Sequence, residues 1–242
     1  MGDKVSRHSE WYVPRFGPLW VRTIIGLTFW PYTMMNLSYV IIGSMLSAQV
    51  DWYRVLLISA VYMLALGVAA HALDARAPNK PWASYLSDKQ LLLLAASALA
   101  PAVVISTYLV ETATFLIVIA VLEAFFLFAY NAELFSGRFH NDWWFAFSWG
   151  VLPTLAGYFN LSSQISALPF LAAALTGFTA VVEISASRPY KNYKKKLQAS
   201  SSSSLTILES YTIKMLERIL KFLVATVCGT AALSILARMI LL

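Results

Sequence analysis

One short stretch between two apolar segments carries most of the side-chain types that do acid–base or ligand chemistry. It spans 130–144 and contains Asn131, Glu133, Arg138, His140 and Asp142. Polar and charged side chains are costly beside the hydrocarbon of a membrane, so such a cluster favours a functional site. The alternative is a polar loop between two helices, with tryptophans at the lipid headgroups.

Two further polar clusters lie at the ends of other apolar segments. His71 and Asp74 are three residues apart, so on a helix they share one face and can bind the same ligand. Glu183 is followed by Arg188 and Lys191. Carboxylates hold magnesium, the metal bridges phosphate oxygens, and cations take up the charge of a leaving group. These types of side chain therefore fit a metal-assisted diphosphate site. The structural alternatives are a histidine that packs between helices and carboxylates that form simple ion pairs.

The composition indicates a membrane protein. The chain of 242 residues is 59% hydrophobic and 12% charged, whereas ordinary soluble domains are about 45–50% apolar and about 25% charged. Its basic N-terminus precedes an apolar segment without a cleavage site, which favours a retained tail over a signal peptide. The single cysteine, Cys228, excludes an intrachain disulfide and a cysteine-based metal cluster. The net charge of +6 arises beside apolar segments, so the membrane is a better partner than nucleic acid.

The apolar segments predict an all-α, polytopic membrane bundle of about seven transmembrane helices. A helical span needs about 20 mostly apolar residues. Seven segments qualify, at 20–48, 55–73, 90–110, 112–135, 144–161, 166–187 and 219–242. The chain then divides into a cytoplasmic tail (1–19), six spans (20–187), a basic, serine-rich loop (188–218) and a C-terminal span (219–242). Pro31 and Pro101 predict bends in the first and third spans.

Connections rich in lysine and arginine alternate along the chain with connections that are poor in them. Cytoplasmic loops are enriched in these residues, so we expect a cytoplasmic N-terminus in a multi-pass protein of the cell membrane. The three polar clusters then share the cytoplasmic side. Glu123 lies near the middle of the fourth span, where an unpaired charge costs at least about 2.5 kcal/mol. A hydrogen bond within the bundle is the simpler role for it, and an intramembrane proton or ion site is the alternative.

The run from Asp74 through Asn79-Lys80-Pro81 to Leu92 resembles the UbiA-type intramembrane prenyltransferases. In that family an aspartate-rich motif ends the second helix, and an N-K-P loop leads into an apolar third helix. The resemblance covers roughly residues 20–190, and its specific part is the run just given. Leu66 and Ala70 stand at the family's earlier aspartate positions. Either the site is rebuilt from other residues, or the ancestral activity is gone.

The resemblance implies prenyl transfer, or a related reaction with a diphosphate leaving group, on an isoprenoid or other lipidic substrate at the cytoplasmic leaflet. In this hypothesis Asp74 and Glu183 hold Mg²⁺. Metal-binding or acid–base roles fall to His71, Asp74, Glu133, His140 and Asp142. Substrate binding falls to Arg76, Asn79, Lys80, Asn131, Arg138, Arg188 and Lys191. Two other functions remain open: a non-catalytic membrane protein that binds a lipid or partner, and a small transporter that uses Glu123.

Overall fold

The computed structural model describes residues 10–76, 86–131, 134–199 and 207–241, and within these ranges the chain forms helices and no β-strand. The all-α prediction is therefore confirmed for the described residues. The helices are α1 (Leu19–Leu27), α2 (Trp30–Met45), α3 (Trp52–Asp74), α4 (Asp88–Thr112), α5 (Leu116–Asn131), α6 (142–159), α7 (Ala167–Ala199) and α8 (Ile207–Leu241).

Four of these helices are long and apolar enough to cross a membrane, namely α3, α4, α7 and α8. The apolar helix α5 is shorter, and the first predicted span is divided into α1 and α2. The helix α6 is not among those long and apolar enough to cross. Many large apolar side chains on the helices are exposed, as expected for surfaces that face lipid. The described structure thus supports an integral membrane protein with several helical spans.

The first predicted span is broken into α1 and α2 at Phe29. Phe29 adopts a left-handed backbone conformation (φ 45°, ψ 48°), which costs a residue with a β-carbon about 1–2 kcal/mol. Pro31 lacks the N–H group that would continue the helical hydrogen bonds. The Thr33 hydroxyl donates to the carbonyl of Thr28 at 2.7 Å and satisfies that end of α1. The break turns the Phe29 side chain toward the interior of the bundle, where it contacts His71.

Two helices contain π-helical turns. Met63–Ala70 is π-helical within α3, and Phe147–Val151 is π-helical within α6. Such turns are rare and are frequently found at functional sites. The Asn36 side-chain amide of α2 donates to the backbone carbonyl of Trp149, inside the second π-helical turn, at 2.9 Å.

Glycines allow α2 and α6 to pack backbone against backbone. A β-carbon at Gly43 would lie 1.9 Å from the carbonyl oxygen of Thr154, and one at Gly157 would lie 2.0 Å from the carbonyl oxygen of Val40. Only glycine fits such an approach. This contact fixes the two helices that carry Tyr32 and Trp149, both of which line the cavity described below.

The last two helices extend beyond the predicted spans. α7 continues to Ala199 and α8 begins at Ile207, so most of the segment predicted as a loop (188–218) is helical where it is described. With 35 residues, α8 is about 50 Å long, which exceeds the hydrocarbon thickness of about 30 Å. The Lys-rich end of α7 is therefore helical and not an open loop.

Candidate functional site

A cavity of about 180 Å³ lies where the ends of α3, α5 and α7 meet α6 and the break before α2. Six residues predicted from sequence line it: His71, Asp74, His140, Glu183, Arg188 and Lys191. They come from three parts of the chain that are far apart in sequence. The cavity thus brings together cationic, carboxyl and imidazole groups at one end of the bundle.

The His71 ring is placed between two aromatic side chains. Its centroid lies 4.9 Å from that of Phe29 and 5.6 Å from that of Trp149. The ring atom Nε2 is buried and has no hydrogen-bond partner among the described residues. A buried polar atom without a partner is unfavourable in a folded protein. His71 therefore offers one unused hydrogen-bonding position at the cavity.

Arg188 is anchored from one side and offers a donor on the other. Its Nη1 atom lies 2.5 Å from Oδ1 of Asp142, and its guanidinium also interacts with the hydroxyl of Tyr130. The Nη2 atom is buried and has no hydrogen-bond partner within the described part of the chain. Asp142 itself is not among the residues that line the cavity. It positions a guanidinium whose remaining donors can bind an anion.

Lys191 and Glu183 lie two turns apart on α7. The Lys191 ammonium is 4.7 Å from the ring centroid of Phe29 and 5.9 Å from that of Tyr32, which are cation–π distances. Glu183 is only 3% exposed, and its Oε2 atom has no hydrogen-bond partner among the described residues. The cavity therefore contains a cation held by aromatic rings and a carboxyl group with an unused oxygen.

His140 is oriented by the end of α5. Its ring stacks on Tyr130 with centroids 4.4 Å apart, and its Nδ1 lies 3.0 Å from the backbone carbonyl oxygen of Tyr130. A carbonyl oxygen only accepts, so Nδ1 carries a proton. Nε2 is then the ring nitrogen that can exchange a proton with a ligand.

A second cavity of about 420 Å³ adjoins the first and is mostly apolar. Side chains of α3, α4 and α5 line it, among them Ile58, Val61, Leu99, Val103 and Ile119. The two cavities share three lining residues, Leu66, Glu123 and Leu127. The Tyr62 hydroxyl donates to Oε1 of Glu123 at 2.8 Å. This is the hydrogen bond within the bundle that the sequence favoured for Glu123.

Two predicted substrate-binding arginines lie away from the cavity lining. Arg76 binds Asp88 through two hydrogen bonds, of 2.6 and 3.2 Å, and this pairing raises the pKa of the Arg76 guanidinium. Arg76 is therefore paired with the first residue of α4. Arg138 is exposed on the segment between α5 and α6.

Four predicted site residues are not described. Asn79, Lys80 and Glu133 lie outside the described residues, and the side chain of Asn131 is likewise outside the description. Their predicted roles remain predictions.

Two carboxyl groups were predicted from sequence to hold Mg²⁺. Asp74 and Glu183 both line the polar cavity, and oxygen ligands suit Mg²⁺. Within the described ranges, however, no three or more His, Cys, Asp or Glu side chains come together as a metal-binding group. The role of Asp74 and Glu183 in holding Mg²⁺ therefore remains a prediction.

Several cavity residues were not assigned to the site from sequence. Phe29 and Trp149 flank His71, and Tyr130 contacts both Arg188 and His140. Pro31 is a signal for a helix break near Phe29, but it does not predict the direction of the ring. Glu123 was identified by its charge within an apolar segment, and its position between two cavities was not predictable from that signal.

No protein-family model, curated protein or solved structure matches this chain.

Proposed function

We propose that this chain is an integral membrane protein that binds an amphiphilic lipid with a phosphate or diphosphate head. The observation that carries the proposal is the adjacency of a polar cavity and an apolar cavity, which share Leu66, Glu123 and Leu127. A single ligand that fills both cavities needs a charged head and a hydrocarbon chain. Lipid phosphates have this construction.

The head is bound in the polar cavity by Arg188 and Lys191. Arg188 supplies the unused donor at Nη2, while Asp142 holds the other side of its guanidinium. Guanidinium groups bind phosphate oxygens through geometrically matched donors. His71 and His140 add imidazole nitrogens to the same cavity. Asp74 and Glu183 are suited to a cationic group or counterion that accompanies the phosphate.

The chain of the lipid occupies the apolar cavity between α3, α4 and α5. Burial of hydrocarbon there favours binding by about 25 cal/mol per Å² of apolar surface removed from water. The mostly apolar lining beyond Glu123 suits a hydrocarbon chain better than an ion path, so we favour lipid binding over transport.

Prenyl transfer is the reaction that the UbiA resemblance implies for such a ligand, and it remains a prediction. Its specific support is that Asp74, in register with the Asn79-Lys80-Pro81 run, lines the same cavity as Arg188 and Lys191. A prenyl diphosphate is therefore the first ligand to test, with and without magnesium. The proposal also includes a polar cavity that opens toward the cytoplasm and a chain that crosses the membrane seven times.

Binding of farnesyl diphosphate to the purified protein in detergent tests the proposal. Arg188→Gln and Lys191→Gln should each weaken binding about ten- to hundredfold, because each removes a charge-assisted interaction with the head. Lys195→Gln is the matched control, since Lys195 lies on the same helix but is exposed and does not line the cavity. Equal binding by all four proteins, or absence of binding to the wild type by any phosphorylated lipid, would exclude the proposed function.

A further inference from the structure

Glu123 lies at the boundary between the two cavities and lines both of them. Glu123 lies on α5, and one side of its carboxyl group faces Tyr62 of α3. A lipid that extends from the polar cavity into the apolar one must pass this carboxyl. The atoms of the ligand that reach it are those that join the head to the chain.

One oxygen of Glu123 is used within the protein and the other is not. Oε1 accepts a hydrogen bond from the Tyr62 hydroxyl at 2.8 Å. Oε2 is buried and has no hydrogen-bond partner among the described residues. A buried polar atom left without a partner costs about 1–3 kcal/mol. A ligand that supplies a donor at this point is favoured over one that presents only hydrocarbon.

We propose that Glu123 selects lipid phosphates that carry a hydroxyl or amide N–H group where the head joins the chain. This inference rests on the proposed function and narrows its ligand class. An acylated glycerol phosphate with a free hydroxyl has the required construction: a phosphate for Arg188 and Lys191, a donor for Glu123 and one hydrocarbon chain for the apolar cavity. A prenyl diphosphate lacks the donor, because its chain begins directly at the diphosphate.

The apolar surroundings make this selection effective. Apart from Glu123 itself, the shared boundary consists of Leu66 and Leu127. Neither side chain can take a hydrogen bond from the ligand. A ligand hydroxyl at this level would lose its water partners on binding and would be penalised in a purely apolar channel. The carboxyl of Glu123 offsets that penalty and turns the boundary into a position that prefers a donor.

The test compares two lipids that differ in one hydroxyl. 1-Oleoyl-glycerol 3-phosphate and its analogue without the hydroxyl at carbon 2 are titrated into the wild-type protein in detergent. We expect the hydroxylated lipid to bind about three- to tenfold more tightly, the range for one additional hydrogen bond. Glu123→Leu should abolish this ratio. Tyr62→Phe keeps the carboxyl and should retain it.

The outcomes separate this inference from the proposed function. If the wild type binds both lipids equally and Arg188→Gln weakens both, the role of Glu123 is excluded while the head site stands. If the wild type binds neither lipid, or Arg188→Gln changes nothing, the proposed function itself fails. The wild-type ratio needs no variant, so equal binding of the two lipids overturns the inference even where Glu123→Leu does not fold.

Discussion

Replacement of Gly43 by alanine should disrupt the contact between α2 and α6. The new β-carbon would lie 1.9 Å from the carbonyl oxygen of Thr154, whereas ordinary contacts of this kind are 3.4–4 Å. Because that neighbour is backbone, the two helices must move apart. Overpacking of a tight core costs about 1–3 kcal/mol. Loss of the buried hydrogen bond from Asn36 to the Trp149 carbonyl adds about 1–3 kcal/mol.

We therefore expect Gly43→Ala to lower the free energy of unfolding by about 3 kcal/mol or more. Gly229→Ala is the matched control, because a β-carbon at Gly229 in α8 has nothing within 4 Å. The control should be neutral or stabilising by up to about 1 kcal/mol. Thermal or detergent-induced unfolding of the purified proteins measures both. Equal stability of Gly43→Ala and the wild type would refute the helix packing that positions Tyr32 and Trp149.

Three further changes test an ion pair, the metal hypothesis and the membrane orientation. Glu10→Gln should destabilise the protein by about 1–3 kcal/mol, because the buried Glu10 carboxylate pairs with Lys194 at 3.3 Å. Thermal unfolding measures this effect, and an unchanged midpoint would contradict it. Asp74→Asn should remove any magnesium-dependent retention of farnesyl diphosphate and leave the magnesium-independent part intact, whereas a wild type that magnesium does not affect would exclude a metal role for Asp74. In a cysteine-free background, a cysteine at Ser202 should be shielded from an impermeant thiol reagent in intact cells and one appended after Leu242 should react, and the reverse labelling would overturn the predicted orientation.

Some residues that line the cavity were predictable from their spacing along a single helix. His71 and Asp74 are three apart on a helix, and both line the cavity. Arg188 and Lys191 share a face of α7 for the same reason. Apolar segment length predicted helices, because a membrane span needs a continuous apolar run. These signals act within a few residues or along one helix, so sequence alone carries them.

Features set by long-range packing were not predictable. The left-handed conformation of Phe29 depends on contacts of its ring with His71 and Lys191, which lie on other helices. The helix α7 continues to Ala199, whereas the basic residues of this segment had indicated a loop. Arg76 was expected to bind ligand, but the carboxylate of Asp88 is within reach once α4 begins there. The pairing of Arg76 with Asp88 depends on how the chain folds between α3 and α4.

Native mass spectrometry of the protein as purified from its membrane is the most direct test of a phosphate-binding site at Arg188 and Lys191. We expect the wild type and Lys195→Gln to retain a lipid with a phosphate head. The double variant Arg188→Gln, Lys191→Gln should lose this lipid, because Arg188 and Lys191 both line the cavity and both charges are removed. Equal retention of the same lipid by all three proteins would contradict a head site at Arg188 and Lys191. So would a wild type that retains only lipids without phosphate.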